Sequence, residues 1–366
     1  MTSMTDYSAS AYQQQLEQKT QFTREQFAPF NPPPLAVFAS PATGYRMRAE
    51  FKIWHHGNRA DYAMFMPGTP KQTYIIQDFP PVSSTINNLM TPLLEAINNN
   101  EHLAKKLFQC EFLSTTRGEC VITLIYHKTL DEQWQQVAKN VAKRLNCHIV
   151  GRAKKQKILV QQNWADETLV VNNQEFHYEH VEASFTQPNA HICTQMLNWA
   201  FEHSQDNGGD LLELYCGNGN FTLPLATRFN KVLATEISKT SVDSAKRNMA
   251  RNSISNIEFA RLSSEEFTEA LEGVRAFRRL AKIDLNSYDF STVLVDPPRA
   301  GLDAATVTLI QRFEHIVYIS CNPDTLLDNL HTLSQTHNIT AFALFDQFPF
   351  THHRECGVIL KSKTKN

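Results

Sequence analysis

Three short segments in the second half of the chain place reactive side chains just after apolar runs: Asp296 in VDPPRAGLD, Cys321 in YISCNPDT and Glu355 in DQFPFTHHREC. A fourth, LLELYCGNGNF at 211–221, is an apolar strand running into a glycine turn and then a helix. Glycine is sparse, 12 residues in 366, yet four fall within 208–219. Gly217 and Gly219 allow a ligand to approach the backbone closely, and Asn220 stands at the helix start. Nineteen residues after Gly217 the next strand ends in Glu236, a carboxylate suited to ribose hydroxyls. Such a turn serves a dinucleotide as well as S-adenosylmethionine. Two details favour the latter. Thr222 stands where a dinucleotide fingerprint has its third glycine, and Glu213, Asn218 and Asn220 suit a zwitterionic amino-acid moiety better than a pyrophosphate.

Cys321 lies between a strand and a helix start, with Pro323 near the first helical position, where the helix dipole favours a thiolate. A thiolate beside a methyl donor suits methylation of a carbon that needs activating, such as carbon-5 of a pyrimidine. Addition of sulfur to carbon-6 makes carbon-5 nucleophilic, and a base must afterwards remove the carbon-5 proton. Glu355 is the candidate base.

The elements that must position these groups follow from periodicity. From about 190 onward, strands are expected at 210–215, 231–236, 256–260, 291–295, 315–320 and 340–345. Helices are expected between them at 220–228, 238–252, 263–272, 303–313 and 323–335, the pattern of a doubly wound parallel sheet. A seventh strand, 356–361, follows a short turn and is expected to run antiparallel. Its first residues then lie at the edge where the parallel strands end, so Asp296, Cys321 and Glu355 converge on one site. The expectation is an α/β fold: a C-terminal Rossmann-like domain at 186–366, and a mixed α+β domain at 1–185. In the latter, helices are expected at 6–27, 83–98 and 131–145. Strands are expected at 45–54, 108–115, 119–127, 147–151 and 156–160.

Composition narrows the class. Hydrophobic residues make up 42% and charged residues 20%, and the net charge is −2, ordinary values for a globular enzyme. No apolar run approaches 18 residues, and the N-terminus lacks a basic patch followed by an apolar stretch, so neither a membrane helix nor a signal peptide is expected. Seven cysteines without CxxC spacing argue against disulfides, a metal site or an iron–sulfur cluster, and for a reducing, cytoplasmic location. The run 143–157 holds six basic residues and no acidic one, which suits a phosphate backbone as well as a solvated loop.

DPPRAGLD, SCNP and FPFTHHRECG, in that order after ELYCGNGNF, resemble the RNA uracil-5 methyltransferase family. SFTQPNA at 184–190, YRMRAEF and GRAKK extend the resemblance to its TrmA-type, tRNA-directed branch over essentially the whole chain. The resemblance implies that Cys321 is the nucleophile and Glu355 the proton acceptor. It also implies that Gln187, Tyr215, Asn220, Glu236 and Asp296 contact S-adenosylmethionine, with Asp296 also placed to meet the base. The implied substrate is the T-loop uridine of tRNA, position 54, and the tRNA-like part of tmRNA. The rRNA-directed relatives hold an iron–sulfur cluster on four clustered cysteines, a pattern absent here. No membrane and no obligate protein partner is expected.

A uridine inside a folded loop must be turned outward before a thiolate reaches it, which calls for cations on phosphates and rings that fill the vacated stack. Arg46, Arg48 and Lys52 alternate along one strand face and, with the 152–157 run, are the cationic candidates; Phe108 and His127 are the stacking candidates. Arg299 is placed to meet a phosphate or the uracil edge, and His352 and His353 to orient the base. Ser263, Ser264 and Glu265 are candidates for the adenine. An amino-group methyltransferase, with DPPR on an exocyclic amine, would not need Cys321. An RNA-folding activity is expected beside catalysis rather than instead of it, and a nicotinamide-dependent oxidoreductase is the most distant alternative.

Overall fold

The computed structural model describes residues 7–57, 59–66, 69–204 and 208–363. All seven strands expected in the second half form, within one eight-stranded sheet. Its order is Ala36–Phe38, His337–Phe345, Glu355–Ser362, His315–Ser320, Phe290–Val295, Asp210–Leu214, Val232–Thr235, Ile257–Ala260. Neighbours pair in parallel except on either side of Glu355–Ser362, which runs antiparallel to both. The central strands are buried along their whole length because helices cover both faces, and two apolar clusters fill the layers.

The eighth strand corrects the expectation of seven. Ala36–Phe38 is too short to show a period, and its partner, Ala343–Phe345 in register, lies at the far end of the chain. The helix before it, Ala9–Phe27, also packs on the C-terminal sheet: Phe27 is buried in that core, with its ring 4.7 Å from Phe342. The hairpin Trp164–Val171/Gln174–Val181, not expected from the sequence, buries Leu169, Val171, Phe176 and Tyr178 in the same body. A single cut at 185 is therefore crossed by two pieces of the first half.

What remains of the first half is a seven-stranded sheet. Its order is Thr69–Ile76, Arg59–Met66, Arg48–His56, Leu107–Ser114, Cys120–Tyr126, His148–Ala153, Gln156–Leu159. The first two strands were not expected. Helices Ser84–Asn98 and Glu132–Leu145, started by the Ser83 and Asp131 side chains, cover one face. Gly151 is required beneath the second helix, since a Cβ there would fall 2.3 Å from Trp134. Cys110, Cys120 and Cys147, far apart in sequence, all sit in this core as small apolar side chains. Among the described residues no helix is long and apolar enough to cross a membrane.

Candidate active site

The glycine turn follows Asp210–Leu214. Tyr215, Gly217 and Gly219 all adopt positive φ, at 63°, 55° and 86°. For Gly217 no atom lies within 4 Å of a would-be Cβ, so the turn presents bare backbone. The Glu236 carboxylate accepts from Gly217 N at 3.2 Å and from Ser238 N at 2.7 Å, tying the ends of two parallel strands while keeping lone pairs for a ligand hydroxyl. Beside it Ile237 is 67% exposed, an apolar surface at a ligand edge that sequence reasoning passed over. Tyr215 Oη lies 2.6 Å from Ser264 Oγ, and Ser263 Oγ caps its helix by accepting from Glu266 N; both serines are engaged, leaving Glu265 exposed. Asn220 Nδ2 meets Cys193 Sγ at 3.4 Å.

Beneath the turn, Glu213 is 1% exposed, and one of its oxygens has no partner. Burial pushes its carboxyl up to about 8, offset in part by Thr222 and reinforced by Asp296. A carboxyl whose pKa is raised by folding contributes stability below its unfolded value, and that contribution is lost as pH rises through the native value. The ligand-free protein should therefore lose thermal stability between about pH 5 and pH 8.5, by an amount on the order of a few kcal/mol. Glu213→Gln should flatten that slope and raise Tm at pH 8. Parallel Tm–pH curves for the two proteins would show that Glu213 is not the source.

Cys321 ends His315–Ser320 and precedes Asn322, whose side chain caps Pro323–Thr336. Asn322 Nδ2 donates to Arg299 O at 3.0 Å, joining this loop to the DPPRAG loop. Gly301 allows that approach, because a Cβ there would fall 2.8 Å from Thr325 Cβ. Glu355, buried, opens the antiparallel strand at the same edge. Asp296, Cys321 and Glu355 are thus brought together, Cys321 in the field of both carboxylates and Glu355 in that of Asp296. Burial raises the carboxyls of Glu355 and of half-buried Asp296, and Asp296 raises Glu355 further. Burial, Glu355 and Asp296 push the Cys321 thiol up to about 11, against a lowering by Arg299. Burial first, then Glu355 and Asp296, thus work against the favour that the helix start gives the thiolate.

Gln187 Nε2 donates to Asp296 Oδ2 at 3.3 Å, and Gln347 Nε2 donates to Gln187 Oε1 at 2.8 Å. Nearby Phe185 is 69% exposed. The loop 346–354 that carries Glu355 is held by the N-terminal helix. Lys19 Nζ donates to Asp346 Oδ1 at 2.6 Å and to Phe348 O at 3.0 Å, both ion-pair partners being buried. Arg354 donates to Thr23 Oγ1, and Gln15 exchanges hydrogen bonds with Thr351 O and Phe350 N. No sequence signal marked Lys19, Asp346 or Gln347, since each is engaged through contacts distant along the chain.

The other expected residues divide. Phe108 and His127 stack with ring centroids 4.0 Å apart and 14° between planes, and Lys52 Nζ lies 5.4 Å from the Phe108 centroid. Arg46 and Arg48 do not join that display. Arg46 Nε donates to Arg48 O while its guanidinium lies over Phe348, and Arg48 donates to Glu182 O. With Met47 N bonded to Pro188 O and Tyr45 Oη to Pro349 O, this segment joins the two sheets. Arg152 and Lys157 both pair with Glu182, so the basic run is partly neutralised. Arg299 is exposed, and the His352 and His353 rings lie 4.4 Å apart on the loop before Glu355.

A doubly wound sheet with one antiparallel strand, a glycine turn and a carboxylate ending the next strand defines a Rossmann-like methyltransferase fold, here with a cysteine and two carboxylates at its ligand edge. The chain belongs to the tRNA (uracil-5-)-methyltransferase family, whose model matches residues 11–363. A tRNA/tmRNA (uracil-C(5))-methyltransferase from Cellvibrio japonicus is 57% identical over 358 residues, covering 98% of each chain. One of the same name from Vibrio parahaemolyticus is 52% identical, covering 98% of this chain and 99% of its own. Among solved structures, the Pyrococcus abyssi tRNA (uracil-54, C5)-methyltransferase in complex with S-adenosyl-L-homocysteine superposes with a TM-score of 0.73 at 21% identity. That match covers 95% of this chain and 83% of that one, a likeness of fold.

Proposed function

We propose that the protein is a cytoplasmic S-adenosylmethionine-dependent methyltransferase acting on carbon-5 of the T-loop uridine, position 54, of tRNA and of the tRNA-like part of tmRNA. The observation that carries this reading is the meeting of Cys321, Asp296 and Glu355 at one sheet edge, beside the Gly217 turn, in a chain of this family. S-adenosylmethionine, when bound, supplies a positively charged sulfonium with an electrophilic methyl group. The bare backbone at Gly217, the Glu236 carboxylate and exposed Ile237 would hold its nucleoside end, and Gln187, Asn220 and Asp296 would hold its amino-acid end.

The residues act in order. Cys321 loses its proton to solvent and its sulfur bonds to carbon-6; the carbon-5/carbon-6 double bond opens, leaving an enolate. Arg299 lies on the side of Cys321 where a cation favours the thiolate. After carbon-5 is methylated, Glu355 takes the carbon-5 proton; the double bond re-forms and the Cys321 sulfur leaves as thiolate. Proton removal requires ionised Glu355, so burial and Asp296 make this step favour mildly alkaline solution. The test uses tRNA transcribed with 5-fluorouridine, where no proton can leave carbon-5 and the adduct persists. A cofactor-dependent band shift on a denaturing gel supports the reading. A shift only with rRNA fragments removes the substrate, and no shift with any RNA removes the covalent mechanism.

The stacked Phe108–His127 pair, with Lys52 beside it, is read as the platform that fills the loop once the uridine leaves it. Phe108→Ala should weaken T-arm binding about tenfold to a hundredfold, at unchanged affinity for S-adenosylmethionine. Fluorescence anisotropy with a labelled T-arm hairpin reads this; unaltered RNA affinity would assign both rings to packing.

A further inference from the structure

We infer that Lys19, on the first helix, is a positioning residue for proton removal: it braces loop 346–354 in the conformation that sets Glu355 at the reactive edge. Glu355 opens its strand opposite its register partner Phe345, so residues 346–354 form an excursion whose two ends are paired. The backbone of that excursion is strained. Phe350 sits at φ 61°, in the left-handed region that a bulky L residue avoids. Such a conformation persists only where the surrounding structure over-determines it. Here the contacts fall on successive residues. Phe348 O accepts from Lys19 Nζ at 3.0 Å, Pro349 O from Tyr45 Oη at 3.2 Å, and Phe350 N donates to Gln15 Oε1 at 2.6 Å. Thr351 O then accepts from Gln15 Nε2 at 3.2 Å, and the Phe350 ring lies 5.9 Å from that of Tyr12.

Tyr12, Gln15, Lys19 and Thr23 recur at helical spacing along one face of Ala9–Phe27, and that face grips both ends of the loop. At the first end, Lys19 Nζ donates to Asp346 Oδ1 at 2.6 Å, and Asp346 directly follows Phe345. At the second, Arg354, which directly precedes Glu355, donates to Thr23 Oγ1 at 3.1 Å with its guanidinium 4.3 Å from the Phe22 ring centroid. Thr23 Oγ1 in turn donates to Lys19 O at 2.7 Å, so the two grips meet at Lys19. The residue type carries the argument further. A buried ion pair is a poor source of stability, since apolar side chains of similar volume serve as well or better; what it adds here is a fixed geometry. The Lys19 and Asp346 side chains are 5% and 0% exposed, so the ammonium finds its acceptors in the loop rather than in water. An apolar pair would fill the same space but release Phe348 O, and with it the turn that leads to Phe350 and Glu355.

This inference rests on the covalent mechanism proposed above, and the experiment separates the two. Wild type, Gln15→Ala, Lys19→Met and the double variant Lys19→Met/Asp346→Leu are compared for Tm, for kcat, and for KM towards S-adenosylmethionine and tRNA. Products on unmodified tRNA are run on denaturing gels. Lys19→Met strands the Asp346 charge and should lower Tm; the double variant removes both charges and should bring Tm back. Its kcat should nevertheless stay about 10- to 100-fold below wild type, with both KM values within about twofold. Methylated protein–tRNA adduct should accumulate on ordinary uridine, because addition and methylation precede the step that needs Glu355 in place. Gln15→Ala, at a half-buried position, should act in the same direction by about threefold to tenfold, and it carries the test if the buried variants do not fold. Recovery of kcat together with Tm in the double variant would make Lys19 a purely structural residue and overturn the inference. Lost rate without adduct, a change in KM alone, or wild-type turnover in both Gln15→Ala and the double variant would do the same. If wild type itself forms no adduct with 5-fluorouridine tRNA, the covalent reading fails first, and this inference with it.

Discussion

Cys321→Ala is expected to lose methyl transfer to tRNA by about 10⁴-fold or more, and to form no adduct with 5-fluorouridine tRNA. The reason is chemical rather than positional. Carbon-5 of uracil is a poor nucleophile until a group adds at carbon-6, and no other thiol in the chain is placed to do so: the remaining six cysteines are buried, while Cys321 alone is half-exposed. Affinity for S-adenosylmethionine and for tRNA should be retained, since Gly217, Glu236, Phe108 and His127 lie elsewhere. Methyl incorporation from labelled cofactor, read beside equilibrium binding, distinguishes loss of chemistry from loss of fold. Full methylation by the alanine enzyme would move the reading to an amino-group acceptor at Asp296.

Glu355→Gln is expected to lower turnover by about 10²- to 10⁴-fold, with the opposite signature on a gel. Addition of Cys321 and methylation do not use the carboxylate, so a single round should proceed and then stop at a methylated, covalently bound tRNA. One equivalent of methyl per enzyme, fixed to protein, is the expected result. The substitution also removes a charge that holds the Cys321 thiol up, so its thiolate forms at lower pH. Alkylation of Cys321 by iodoacetamide in the free enzyme should therefore speed up in mildly alkaline solution, where the wild-type carboxylate is charged. Equal loss of rate and adduct would place Glu355 in the first step instead of the last.

Much of the catalytic half was legible because its signals are local. Each strand is a run of apolar residues with a turn, and the helices other than Thr222–Ala226 begin at a polar cap such as Ser263, Asp303 or Asn322. Those caps satisfy backbone groups within a few residues, so they can be read in sequence. The edge on which Asp296, Cys321 and Glu355 fall follows from strand direction alone, given the short connection before 355. The Phe108 and His127 positions flank a hairpin whose register keeps the ends of its two strands together. Strand 45–54 misled in one respect: alternation correctly put Ala49, Phe51 and Ile53 inward, but could not tell that Arg46 and Arg48 face another part of the protein rather than solvent.

The sequence by itself determined the α/β class, seven strands of the catalytic half in chain order, and the chemistry that residues of the types of Asp296, Cys321 and Glu355 allow. Only the tertiary structure decided that the first helix and Ala36–Phe38 belong to the catalytic body, that Lys19 anchors Asp346, and that Gln347 donates to Gln187. These are interactions between residues more than 150 positions apart, and their strength depends on burial. Neither distance in space nor exclusion of water is encoded in a local pattern; both arise when the layers close around the sheet edge.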